Sequence, residues 1–329
     1  MAMAHRYEQL SLEERDMINE MKVMGESVRA TARALQRSPS TISRELRRNA
    51  AGSPQIYLSH LAQTQAMKRK REAARRPRLK DRRVVEYVRE KLTLDWSPEQ
   101  IAGRIGQDLP GASISYEAIY QYIYHPETEG RIELIHHLRR THRLRKPKWG
   151  ARKKHKTKIP NRISINERPA SVETRRWFGH WEGDSLICRR STSALNTLIE
   201  RKSRFAILTK LPHKTAEQTS RAVIQKLRLL PRKARRTLTL DNGPENARHG
   251  DITRALGTQC YFADSYASWQ RGSNENLNGL VRWYFPKRTD FNIISEEQVA
   301  RVEALLNNRP RKCLGYKTPA EIARVALLR

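Results

Sequence analysis

A single change of hydrophobic period, near Trp177, limits what this 329-residue chain can fold into. Before it, apolar residues recur every three or four positions between capping residues, as amphipathic helices require. After it, "HWEGDSLIC", "NTLIE" and "RFAILTKL" are short, apolar and rich in β-formers, with polar turns such as "RKSR" between them. Three strands are expected first. A helix over "AEQTSRAVIQKLRLL", the strand "RTLTL", a helix around "DITRAL", the strand "TQCYF" and a helix carrying Glu275 follow. The expected order is βββαβαβα, behind a helical N-terminal half.

That first half carries its own punctuation. Ser11 and Glu14 stand at capping-box spacing, Met17, Ile18 and Met21 follow, and Gly25 closes the helix. "SVRATARALQ" and "SPSTISRELRRN" make two more helices around a polar turn at Gln36 and Arg37, with Ser38 as N-cap and Pro39 at the first helical position. This is the shape of a helix-turn-helix. In such a unit Ser40, Thr41, Ser43 and Arg44 reach base edges in the major groove, while Arg47 and Arg48 hold phosphates. A short three-helix bundle without a ligand is the alternative. "WSPEQIAGRIGQDLP" and "SISYEAIYQYIY" repeat the pattern, with Gln100 at capping-box distance from Ser97. Ile119, Tyr120 and Ile123 fall at core spacing, which assigns most of Tyr116, Tyr120, Tyr122 and Tyr124 to packing.

Charge names the partner. The 65 Lys and Arg against 34 Asp and Glu leave a formal +31, which repels itself unless a polyanion is near, and nucleic acid is the obvious one. A membrane surface is the rival, but no apolar run approaches the roughly eighteen residues of a spanning helix. The start, "MAMAHRYEQL", lacks a signal peptide's apolar centre, so a cytosolic protein is expected. Cys188, Cys260 and Cys313 offer neither a disulfide framework nor a zinc knuckle. Ten basic residues from Lys68 to Arg83 and twelve from Arg139 to Arg162 suit solvated linkers or phosphate-tracking arms. The expected division is therefore a helix-turn-helix domain over 1–50, a helical and basic linker over 51–83, and a second helix-turn-helix-like DNA-binding domain over 84–138. A basic linker over 139–172 and a strand-containing core with C-terminal helices over 173–329 complete it.

Acids are scarce in such a chain, and three of them sit in unusual places. Asp184 lies in "WEGDSLI", within or beside the first strand; Asp241 ends the fourth strand; Glu275 lies on the last helix of the series. On that helix Leu277, Leu280, Val281 and Tyr284 form an apolar stripe, leaving Glu275 and Arg282 together on the polar face. A loose surface pair is one explanation for those two. The other is that the three carboxylates converge, which their mutual repulsion permits when divalent cations bridge them. Mg²⁺ or Mn²⁺, as two ions, would then promote phosphodiester displacement, and Arg282 would meet the phosphate. Glu182, Glu245 and Asp264 are second choices for membership. The element order is that of a ribonuclease-H-like fold.

The blocks "GHWEGD", "LTLDNGPE", "YFADSYASWQRGSNENLNGLVRWYFPK" and "NNRPRKCLGYKTPAE", with "NERP" at 166–169 and the N-terminal helix-turn-helix, resemble the signature blocks of insertion sequence thirty family transposases, bacterial mobile-element proteins. The resemblance covers nearly the whole chain, and the 33 residues between Asp241 and Glu275 match the family's spacing. It implies a DDE transposase with an integrase-type catalytic core. Asp184, Asp241 and Glu275 would be the metal-binding triad and Arg282 the basic residue after the glutamate. Its substrates would be double-stranded DNA, both the terminal inverted repeats and a target, cut and joined by 3′-hydroxyl attack without a covalent protein–DNA link. A homo-oligomer assembled on DNA ends and a cytoplasmic, nucleoid-associated location follow from the same likeness. An inactive sequence-specific regulator and a nuclease without strand transfer are the alternatives. Two departures stand out: Ser265 and Ala267-Ser268 replace family prolines, and Asn246 stands where an aromatic is common. Trp269 and Arg271, on that altered loop, are expected at the DNA near the cut.

Overall fold

The computed structural model describes residues 9–49, 56–75, 79, 81–138, 159–188, 192–265 and 267–328, and the chain divides into two compact units, Met1–Arg78 and Leu79–Arg329. In the first, α1 (Leu12–Val23), α2 (Val28–Ala34), α3 (Pro39–Asn49) and α4 (Ser59–Arg75) follow one another. Ser11 and Glu14 form the reciprocal capping box, and the Ser27 hydroxyl caps α2. Ile18, Ala32 and Ile42 meet at the centre, with Tyr57 and Ala62 against them. The expected linker from Lys68 is instead helical as far as Arg75, and the boundary expected at residue 50 falls inside this unit. Three short helices bury too little apolar area alone, and α4 with its approach supplies the missing wall.

At this core's edge Arg15 and Glu45, both buried, pair at 2.8 Å. Glu45 also accepts from the Tyr57 hydroxyl at 3.2 Å, and Arg15 donates to Gln63 at 2.6 Å, so all four helices but α2 are tied to one ion pair. Removing one partner strands the other charge in the interior. Glu45→Ala should therefore destabilise this unit by about 3–5 kcal/mol, read as an early transition in thermal melting of the full chain. A melt superimposable on wild type would refute it.

The second unit begins with α5 (Arg82–Thr93), α6 (Pro98–Asp108), α7 (Tyr116–Tyr124) and α8 (Arg131–His136), packed around Val88, Leu92, Ile101, Ile105, Ile119 and Ile123. The tyrosine expectation fails here. Tyr116, Tyr120 and Tyr124 are exposed, and only Tyr122 packs against this core. Spacing of four puts those three on one flank of α7, while Ile119 and Ile123 take the inward face.

Residues 139–158, most of the second expected linker, lie outside the described residues. Its last part is packed rather than free: Ile159, Ile165 and Val172 are buried, and Phe262 donates its backbone N–H to Ile163. Five strands follow, β1 (His180–Ile187), β2 (Ala194–Glu200), β3 (Ala206–Leu211), β4 (Thr237–Leu240) and β5 (Gln259–Phe262), in the spatial order β3-β2-β1-β4-β5. The first three are antiparallel; β4 and β5 join parallel to β1, so the sheet is the ribonuclease-H-like one. Helices α9 (Ala216–Arg228) and α10 (His249–Leu256) cover one face with Val223, Leu227, Ile252 and Leu256. Helices α11 (Gly272–Tyr284) and α12 (Glu296–Asn307) cover the other with Leu277, Val281, Val302 and Leu306.

The helical bundle is not a separate bead on this core. Arg104 of α6 makes a two-pronged pair with Glu321 of the last helix, α13 (Pro319–Leu328), at 2.8 and 2.6 Å. Gln100 donates to the Pro310 carbonyl at 2.9 Å. Arg309, wholly buried, donates to the Leu94 and Asp95 carbonyls beyond α5 and to the Tyr284 hydroxyl of α11.

Candidate active site

Strand alternation decides where the acids of β1 point. Trp181 and Gly183 face α9 and α10, and Gly183 is needed there because a Cβ would come within 2.9 Å of a Leu240 methyl. Glu182, Asp184 and Leu186 take the opposite face, beneath α11. Glu182 is 1% exposed, lies 3.4 Å from Arg201 and accepts the Asn274 backbone N–H at 2.9 Å. It is spent on fixing the start of α11. Glu245, also buried, pairs with Lys214 at 2.6 Å, and Asp264 accepts from Gln270 at 2.9 Å.

Asp184 is different. Its Oδ1 accepts from the Ser185 N–H at 2.8 Å and its Oδ2 from Asn278 of α11 at 2.8 Å. Asp241 stands just past β4, its Oδ1 accepting from the Gly243 N–H at 3.1 Å and from Asn246 at 2.7 Å. The Oδ2 atoms of both aspartates turn to one guanidinium: Arg271 Nη1 lies 3.5 Å from Asp184, and Nη2 lies 3.8 Å from Asp241. Burial pushes the Asp184 carboxyl above its usual range; Arg271 opposes that, and the charges of Asp241 and Glu245 add to it. Asn246, the departure from the family pattern, is thus a buried donor to the site rather than a packing fault.

Glu275 sits in the first turn of α11 on its exposed side, and no hydrogen bond or ion pair among the described residues engages it. Asn278, three residues on, is about 60° from it around the helix. No group of three His, Cys, Asp or Glu among the described residues is arranged to hold a metal ion. The structure thus joins two of the three expected acids around Arg271, and the third lies on the helix that holds one of them. Arg282 donates to the carbonyls of Ile187 at 2.9 Å, Phe285 at 3.4 Å and Pro286 at 3.3 Å, tying the end of α11 to the end of β1. Burial lowers its pKa. Trp269 is 75% exposed, so it does not anchor its loop to the core.

On α3, Ile42, Glu45 and Asn49 face inward, leaving Ser40, Ser43, Arg44, Arg47 and Arg48 exposed and Thr41 half-buried. Arg44 folds back to donate to the Ser40 carbonyl at 3.0 Å. Sequence alone missed Asn246 and Asn278 as carboxylate partners, and gave no sign that Arg271 stands between the aspartates. Asn278 meets Asp184 across 94 residues, whereas Asn246 meets Asp241 within the turn that follows β4.

A helix-turn-helix unit in one chain with a ribonuclease-H-like core defines a class: a DNA-binding protein built to work on a polynucleotide backbone. A family model described as a helix-turn-helix domain matches residues 6–49. Transposase InsI for insertion sequence element IS30A of Escherichia coli (strain K12) is 41% identical over 98% of this chain and 84% of that protein. The transposase for insertion sequence element IS1086 of Cupriavidus metallidurans is 39% identical over 96% and 94%, and that for IS4351 of Bacteroides fragilis 37% over 94% and 93%. This chain belongs to the insertion sequence thirty (IS30) family of transposases. Among solved structures, the catalytic core domain of BIV integrase covers 45% of this chain and 94% of its own at 20% identity and a TM-score of 0.36. No helix among the described residues is long and apolar enough to cross a membrane.

His180, at the head of β1, gives the core a pH signature. Its Nδ1 lies 2.8 Å from the Thr237 hydroxyl, and burial, with Arg236, Arg201 and Arg168 around it, lowers its pKa from 6.5 to about 4. An unfolded chain takes up that proton before the folded one does, so stability is lost as pH falls from 6.5 toward 4. The drop in melting temperature between neutral and mildly acidic buffer should be smaller for His180→Asn than for wild type. Equal drops would rule this out.

Proposed function

We propose that this transposase binds the terminal inverted repeats of its element and uses Asp184, Asp241 and Glu275 as a DDE triad for strand cleavage and transfer. One observation carries the reading: the middle of β1 and the end of β4, far apart in sequence, deliver Asp184 and Asp241 to a single guanidinium, that of Arg271. The donors suit Mg²⁺ or Mn²⁺, because all are carboxylate oxygens and two of them already stand about one positive centre. Two such ions, when bound, activate a water or sugar hydroxyl and stabilise the departing oxygen.

The chain's own side chains do the arranging. Asn278 and Asn246 each fix one aspartate by an amide N–H, on the Arg271-facing Oδ2 of Asp184 and on the Oδ1 of Asp241, which holds both carboxylates in orientation. Glu182 sets the N-terminal turn of α11, and Arg282 its far end, so the helix bearing Glu275 is pinned at both ends. Exposed Trp269 stands next to this region to meet DNA near the cut. The polar side of α3 reads the repeat, with Ser40, Thr41, Ser43 and Arg44 at base edges and Arg47 and Arg48 on phosphates. A 3′-hydroxyl released at the element's end then attacks a target phosphodiester, forming a new 3′–5′ link as the target strand's own 3′ oxygen departs. One chain brings one such site to two element ends, so the working form is a homo-oligomer on DNA.

Asp241→Asn should lower Mg²⁺-dependent nicking of end-containing DNA by roughly 10²–10³-fold or more while end binding stays level or improves. Wild-type nicking by that variant would overturn the triad. Because the first unit runs to Arg78, deleting residues 1–78 should abolish preference for the repeats and spare salt-sensitive, non-specific binding. Competition binding with repeat and scrambled duplexes decides it; preference that survives the deletion places recognition elsewhere.

A further inference from the structure

The guanidinium between the aspartates is held in an unusual way. Its contacts with the carboxylates, 3.5 and 3.8 Å, are longer than the 2.7–2.9 Å or so of a charge-assisted hydrogen bond. Among the described residues its one close partner is neutral, the Gly183 carbonyl at 3.1 Å from Nη1. Nε is buried, in a side chain only 13% exposed, with no hydrogen-bond partner among the described residues. An arginine selected to make the strongest ion pair would use its fork, donating two short parallel bonds to one carboxylate. Arg271 instead straddles two, and the field of both holds it more than fit does.

Charge counting completes the picture. Two carboxylates and one guanidinium leave a residual negative charge; two carboxylates and one divalent ion leave none. A divalent ion held by the two aspartates would meet the like charge of the guanidinium, whose Nη groups face the same two Oδ2 atoms at 3.5 and 3.8 Å. Guanidinium and ion therefore exclude each other. We propose that Arg271 is a resident competitor for the divalent ion, holding Asp184 and Asp241 together until the ion displaces it, whereupon its freed fork binds a DNA phosphate. Its position supports both halves: it lies at the junction of the short helix Ser268–Arg271 and α11, beside exposed Trp269, so the displaced side chain has solvent and DNA within reach.

This inference rests on the aspartate pair being the ion site, so the test separates the two. Mn²⁺ affinity, measured by calorimetry or by the electron-spin signal of the free ion, is compared among wild type, Arg271→Ala, Arg271→Gln and Asp241→Asn full-length proteins, with circular dichroism reporting folding. Both Arg271 variants should bind Mn²⁺ about tenfold or more tightly than wild type, the direction expected when a cation leaves a cation site. With Ca²⁺ in place of Mg²⁺, wild type should gain affinity for end-containing duplex, and both variants should lose most of that gain. Unchanged or weaker Mn²⁺ binding by the folded variants overturns the inference. If Asp241→Asn binds Mn²⁺ as wild type does, the triad reading itself falls; if it loses Mn²⁺ while both Arg271 variants match wild type, only the role of Arg271 falls. Arg271→Gln, which keeps a polar group to fill the space, separates loss of charge from loss of packing should the alanine variant fail to fold.

Discussion

Two like charges set side by side within a folded protein repel with little water to screen them, and that repulsion is the constraint around which this core is arranged. Asp184 and Asp241 arrive from neighbouring parallel strands, so the sheet itself forces the encounter. A cation has to be supplied, and Arg271 supplies it. The surrounding groups take care of what the cation does not: a backbone N–H and an amide on each aspartate satisfy the remaining lone pairs.

A second layer of charge fixes the first. Glu173 bridges Arg168 and Arg201, Arg201 faces Glu182, and Glu182 receives the first turn of α11. Arg168 also donates to the Thr239 hydroxyl on β4, one strand residue pair away from the aspartates' level. The "NERP" segment is thereby part of the scaffold of the site, although it lies before the first strand in sequence. Burial lowers the pKa of Arg168, as expected where a guanidinium is kept in the interior by its partners.

Much of this was legible in the sequence, and the parts that were share one property: their signals are local. Ser11 with Glu14 and Ser97 with Gln100 announce helix starts within four residues, and the period change near Trp177 announces strands in their correct order. Asp184 and Asp241 were visible because acids in and at the ends of strands contradict local preference. What escaped notice depends on distant partners. Nothing near Lys68 reveals that the basic stretch continues a helix packed on α1, and nothing near Tyr120 shows that its flank stays outside. Arg282 reads as a phosphate ligand from its helix face alone, but the carbonyl of Ile187 that it reaches is 95 residues away. The place of Arg271 between the aspartates escaped notice for the same reason, since both lie far back along the chain.

The clasp between α6 and α13 has a mechanical meaning. With Arg104 locked to Glu321 and Arg309 sealed beneath the end of α5 and against α11, the α5–α8 bundle and the aspartate pair form one stiff piece. Any duplex gripped by that bundle is carried at a set stand-off from the aspartates, as work is held in a jig. The distance between the bundle and the aspartates is then set by the contacts of two arginines, Arg104 and Arg309, rather than by a linker's length.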